Sequence, residues 1–121
     1  MEKEFKFDFE NLIVYQKSLE LIDKIFAIYK KLPQDYKYSL GANLLRAGLS
    51  IANNLAEGNG KKFIKEKTRY FSTSLDSTRE CISVFNVLER QKFINKDTYH
   101  QLRCEGKEIT NMIWKLIDSQ K

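Results

Sequence analysis

The chain has 121 residues, 42% hydrophobic and 31% charged, with a formal net charge of +5, one proline and five glycines. That is enough for one domain with a proper core, residues 1–121, and too little for two. No apolar run approaches the ~20 residues of a membrane-spanning helix and the N-terminus has no apolar signal region, so a cytoplasmic protein with reduced Cys81 and Cys104 is expected.

Residues 1–9 alternate charged and aromatic groups, and Phe5, Phe7 and Phe9 at period two read as an extended arm with one packed side. A first helix is expected to begin between Asp8 and Asn11, which can cap it. Leu12, Tyr15, Leu19, Ile22, Phe26 and Tyr29 then alternate spacings of three and four, a seam fit for a bundle. Pro33 ends it, because the residue before a proline is pushed out of the helical region.

The second helix, capped by Asp35 or Ser39, carries the stretch around which the chain is organised, Leu44 to Gly60. Leu44, Ala47, Ile51 and Leu55 form an apolar seam. Beside it run Arg46, Ser50, Asn53 and Glu57, with Asn54 at the margin, flanked by Ala47, Leu49, Ala52 and Ala56 instead of long charged residues. Short polar groups among alanines suit a helix packed on more than one side, its polar atoms bonded to neighbours. Gly41 and Gly48 inside this helix each cost roughly 1 kcal/mol against Ala, tolerable where another backbone comes close. Gly58 is expected to close the helix in the left-handed C′ conformation, and Gly60 to loosen the turn after it.

A third helix is expected from Phe63 to Gln91 with Phe71, Leu75, Thr78, Ile82, Phe85 and Leu88 as its seam. Its middle, Ser72 to Glu80, is rich in Ser and Thr, poor helix formers that packing must hold in place. Asn95 or Asp97 starts the fourth helix, whose seam is Tyr99, Leu102, Gly106, Ile109, Ile113 and Leu116, with Gly106 admitting a close neighbour and Trp114 one step off it. Four helical segments with short connections predict an all-α, antiparallel up-down-up-down four-helix bundle.

Little here suits catalysis. His100 is the sole histidine, and no phosphate-binding glycine loop is present. No nucleophile has an activating base, so an enzyme, a metal site and a cofactor are not expected. In a hairpin of the second and third helices turning near residue 61, position 46 lies opposite roughly 76 to 80. Arg46 and Glu80 are therefore expected to pair, with Ser50, Ser77 and Asn54 completing a structural polar network. Glu57, at a helix end where the dipole disfavours it, is expected to pair with Lys61, Lys65 or a neighbouring subunit. Cys81 and Cys104 read as small buried hydrophobes.

The best functional candidate is Lys61, Lys62, Lys65, Lys67 and Arg69, five cations against Glu66 alone, interleaved with Phe63 and Tyr70. Charge for phosphates beside rings that stack on bases points to RNA or DNA. The plainer reading is a solvated turn whose Phe63, Ile64 and Tyr70 anchor the next helix.

Arg46-Ala47, Ser50-Ile51, Asn54 and Ala56-Glu57-Gly58 resemble the signature of the 23S rRNA intervening-sequence protein family, and the likeness runs from Phe9 to about Leu116. It includes Leu12 to Lys17, Leu32-Pro33 and Ser77-x-x-Glu80. The resemblance implies a four-helix bundle assembled as a homopentameric ring, with nucleic-acid binding as its suggested role. It also implies that Arg46, Ser50, Asn54, Glu57, Gly58, Ser77 and Glu80 serve fold and assembly. The chain departs from the family pattern at Asp76, where Gly is usual, and at Ser74, where Ala is usual. The rival reading is an oligomeric scaffold that binds a partner protein and no nucleic acid.

Overall fold

The structure, a computed structural model, describes residues 4–120. Among them it is all helical: α1 (Ile13–Lys31), a single turn α2 (Gln34–Tyr36), α3 (Ala42–Asn59), α4 (Ile64–Arg90) and α5 (Lys96–Asp118), with no strand. The four long helices form a bundle in which α3 lies between α1 and α4, and α5 packs on α4 and α1. On α3 and α4, Ser50 meets Ser77 and Gly58 meets Phe71; on α4 and α5, Asn86 meets Arg103 and Ile82 meets Gly106. No helix among the described residues is long and apolar enough to cross a membrane.

The core takes Leu21 and Ile25 from α1, Leu44, Ile51 and Leu55 from α3, Phe71, Phe85 and Leu88 from α4, and Leu102, Ile109 and Ile113 from α5. The seams expected for α3, α4 and α5 are these buried stripes, with Ile82, Tyr99 and Leu116 half-buried at the edges. On α1 the expected seam is only in part the buried one. Val14, Ser18, Leu21, Ile25 and Ile28 are buried, Ile22 of the expected seam is buried with them, and Leu12 and Tyr15 pack against the core, while Leu19 (41% exposed) and Phe26 (39%) lie outside it. Both stripes have the same period, and the inner one was disguised by Ser18, whose hydroxyl is satisfied by donating to the Tyr15 carbonyl.

Helix ends differ from expectation where local chemistry intervenes. A 3-10 turn, Asp8–Asn11, precedes α1, with the Glu10 carboxylate accepting from the Phe7 amide, so neither Asp8 nor Asn11 caps α1. Of the arm, residues 1–3 lie outside the described residues. Phe5 and Phe7 are exposed, though the Phe7 ring meets Phe9 edge-on at 5.9 Å, and Phe9 in turn packs edge-on to Tyr15 at 5.0 Å. Neither Asp35 nor Ser39 caps α3, because the chain winds from Pro33 through α2 and a π-helical segment, Lys37–Gly41, directly into it. At α5, Asn95 is the cap, its Oδ1 accepting from the Thr98 amide at 2.8 Å.

Gly58 is not a left-handed C′ residue. It is buried within α3, which runs on to Asn59, and a Cβ there would stand 2.8 Å from the Phe71 ring and 2.9 Å from Tyr70 Cβ. Its role is clearance between α3 and α4. Gly41 does the same against Tyr29, Gly48 against Ile25 and Gly106 against Ile82.

Candidate functional site

Along the α3–α4 contact the short polar side chains find each other. The hydroxyls of Ser50 and Ser77 are 2.7 Å apart, and Asn54 Nδ2 donates to both the Ser50 carbonyl (2.8 Å) and its Oγ (3.0 Å). Fully buried Ser74 donates to the Ile51 carbonyl at 2.7 Å, and Thr78 donates to the Ser74 carbonyl. No buried polar side-chain atom among the described residues is left without a partner. Satisfied hydroxyls of this kind fix one register of two helices. Ser74 therefore adds a bond between the two helices, and Asp76 is exposed.

Arg46 and Glu80 do not join this network. Arg46 is exposed and donates to Asn43 Oδ1 at 3.1 Å, and Glu80 is exposed with no ion pair among the described residues. The register does place 80 near the level of 46, but each residue stands further round its helix than the serines, in water. An exposed pair of long side chains gains too little to be held in one geometry.

These hydroxyls have no base beside them. His100 is exposed on α5 with its ring against Tyr99, and no group of three His, Cys, Asp or Glu suited to a metal occurs among the described residues. Cys81 is buried, and desolvation, with Glu80 nearby, raises its pKa to about 12; Cys104, contrary to expectation, is exposed.

The basic candidates sit where α3 turns into α4, and the structure divides them. Lys67 is spent on architecture: its Nζ donates to the Asn59 carbonyl at 2.9 Å, closing the end of α3. Lys61 is half-buried, 3.9 Å from the Glu57 carboxylate and 5.2 Å from the Tyr70 ring centre. Arg69 lies over the same ring at 5.2 Å but is exposed. Lys62 and Lys65 are exposed with no carboxylate partner among the described residues. Phe63 (69% exposed) and Ile64 (56%) are bare, so they do not anchor α4; half-buried Tyr70 and buried Phe71 do. Sequence reasoning missed that Asp8 joins this end, through a hydrogen bond from Asn59 Nδ2, and so tempers its charge.

Over residues 10–115 the chain matches the family described as 23S rRNA-intervening sequence protein. The protein belongs to that family. A solved structure from Bacteroides thetaiotaomicron, described as a protein of unknown function from the S23 ribosomal protein family, superimposes with a TM-score of 0.81 at 24% identity. The match covers 87% of this chain and 98% of that one, and it shows the shared fold. No curated protein matches. Within this 23S rRNA-intervening sequence protein the signature positions divide in two. Ser50, Asn54, Gly58 and Ser77 lie in the α3–α4 contact, whereas Arg46, Glu57 and Glu80 point to solvent.

Proposed function

We propose that this protein is a non-enzymatic, self-associating bundle that binds RNA or DNA through the end formed by the α3–α4 turn. The observation that carries the reading is the bare Phe63 ring, flanked in sequence by exposed Lys62 and Lys65, which have no carboxylate partner among the described residues. A side chain that served only to start α4 would be covered. Cations beside an exposed ring suit a polynucleotide, whose phosphates and bases present a charge and a stacking face together. Lys62, Lys65 and Arg69 are the phosphate contacts in this reading, and Lys61 and Lys67 hold the turn that presents them.

Self-association is supported by an apolar strip outside the core. Ile22 and Ile25 of α1 approach Gly48 of α3. Leu19 and Phe26 stand one step beyond them on α1, and Leu49 (43% exposed) beside Gly48 on α3, so the three flank the outer side of that contact. We take this strip as the contact between copies, in the homopentameric ring of antiparallel up-down-up-down bundles that the family likeness implies. The outward Arg46, Glu57 and Glu80 then serve assembly. A ring gathers several basic ends and multiplies weak phosphate contacts. A cytoplasmic setting fits an exposed Cys104.

The test is a salt titration of binding to single-stranded RNA, duplex RNA and duplex DNA, with wild type beside K62E/K65E and F63S, and with mass followed by light scattering. Affinity is expected to fall linearly in log–log form with salt and to vanish in K62E/K65E while the assembly persists. Absence of binding at low salt, or binding indifferent to both variants, refutes the proposal. The rival is a scaffold for a partner protein, favoured by exposed Ile64, which offers nothing to a phosphate. Nuclease-resistant recovery of one stoichiometric partner, lost on I64S, would select it.

A further inference from the structure

We infer that the groove between α4 and α5 lined by Arg79, Ser83, Asn86, Arg103 and Lys107 binds a phosphate group. This site is separate from the basic end, lying about ten residues, ~15 Å, along α4 from Arg69, and it stands whether or not that end binds nucleic acid. The groove has a volume of about 320 Å³ and is floored by Gly106 and Ile82. At that floor α4 and α5 come close because position 106 has no side chain: a Cβ there would meet Ile82 Cδ1 at 2.5 Å.

Three cations and no carboxylate line it. The ion pairs Lys17–Glu108, Lys24–Glu105, Lys61–Glu57 and Lys96–Glu89 involve no residue that lines the groove. Arg79 and Lys107 have no side-chain partner among the described residues. Asp76 and Glu80 of α4 are exposed but do not line the groove. Like charges gathered without a counter-ion repel, and an anion entering between them relieves that.

The donors are partly set in place. Arg103 lies over the Tyr99 ring at 5.5 Å, and its Nη1 donates to Asn86 Oδ1 at 2.9 Å; the Tyr99 hydroxyl donates to the same oxygen at 2.6 Å. With that oxygen occupied by two donors, the Asn86 NH2 is left to donate elsewhere. The Ser83 hydroxyl is a further donor, whereas Thr110, at the rim, already donates to the Lys107 carbonyl. Two guanidinium forks, an ammonium, an amide and a hydroxyl match the several acceptor oxygens of a phosphate better than the two of a carboxylate.

The probe is pyrophosphate, titrated into the full chain and followed by amide and side-chain NMR, with R79Q/K107Q and K62E/K65E alongside. Saturable shifts are expected at Arg79, Ser83, the Asn86 side chain, Arg103 and Lys107. Affinity should weaken on the order of tenfold or more in R79Q/K107Q, which removes two charge-assisted contacts, and stay unchanged in K62E/K65E. Both pairs are exposed, and the amide spectra of the variants check that they fold. Shifts spread evenly over surface lysines, no saturation in the millimolar range, or undiminished affinity in R79Q/K107Q overturns the inference. A single-stranded RNA oligonucleotide that displaces pyrophosphate assigns the phosphate to a polynucleotide backbone. Failure to displace it assigns the groove to small free phosphate compounds.

Discussion

Replacing Gly58 by alanine tests how α3 and α4 come together and what their meeting presents at the basic end. The added Cβ would lie 2.8 and 2.9 Å from two atoms of the fully buried Phe71 ring and 2.9 Å from Tyr70 Cβ. Carbon contacts settle near 3.5 Å, so a buried ring and a backbone-anchored carbon must retreat by roughly 0.5 Å. Overpacking of this kind costs about 1–3 kcal/mol, and the rigidity of that site places it in the upper half of the range. Alanine returns about 1 kcal/mol of helix propensity. The net loss is about 1–2 kcal/mol, which at a urea m-value of about 2 kcal/mol/M lowers the midpoint by roughly 0.5–1 M. Gly106→Ala is the control: its closest contact is Ile82 Cδ1, the tip of a half-buried side chain that can rotate away. That variant should be neutral or up to about 1 kcal/mol more stable. Equilibrium urea unfolding by circular dichroism at one fixed protein concentration reads both. A G58A protein as stable as wild type would refute the clearance argument. The shift should also be felt in function, since Lys61 and Arg69 rest on the Tyr70 ring that the added methyl group would displace.

Three further outcomes are expected. A double-mutant cycle on Ser50→Ala and Ser77→Ala should return a coupling of about 0.5–1.5 kcal/mol, while Arg46→Ala and Glu80→Ala should show none; measurable coupling in the second pair would mean that the two are held together. With a folded-state pKa of about 12 against an ordinary 9.0, Cys81 stays protonated where the unfolded chain ionises. Its share of stability is thus whole below pH 9 and lost as pH rises from there towards 12; Cys81→Ala should flatten that part of the stability–pH curve, and a thiol reagent should label Cys104 quickly and Cys81 only on unfolding. Leu49→Glu and Phe26→Glu should shift the light-scattering mass towards the monomer while leaving helicity intact, and an unchanged mass would remove the α1–α3 strip as the contact between copies.

Much of the bundle was legible from periodicity. On α3 the stripe Leu44, Ala47, Ile51 and Leu55 is buried as its spacing implies, with Gly48 and Ala52 buried beside it. On α1 the same reasoning was right only in part. Ile22 is buried and Leu12 and Tyr15 pack against the core, but Leu19 and Phe26 of that stripe are exposed, and the deepest positions are Ser18, Leu21 and Ile25. A helix carrying two apolar stripes does not itself say which one its neighbours will cover. The outer stripe is what now argues for a partner copy.

The candidate sites divide along the same line. Which residues carry charge, which offer hydroxyls, and where Pro33 and Asn95 stop and start a helix are local matters, settled by side-chain chemistry and backbone stereochemistry within a turn or two. Which charges remain free is not local. Lys67 was consumed by the end of α3, Arg46 and Glu80 were left apart in water, and Arg79, Arg103 and Lys107 were gathered from two helices around one groove. Burial, clearance and charge pairing depend on the distances between helices, and those exist only once all four have packed.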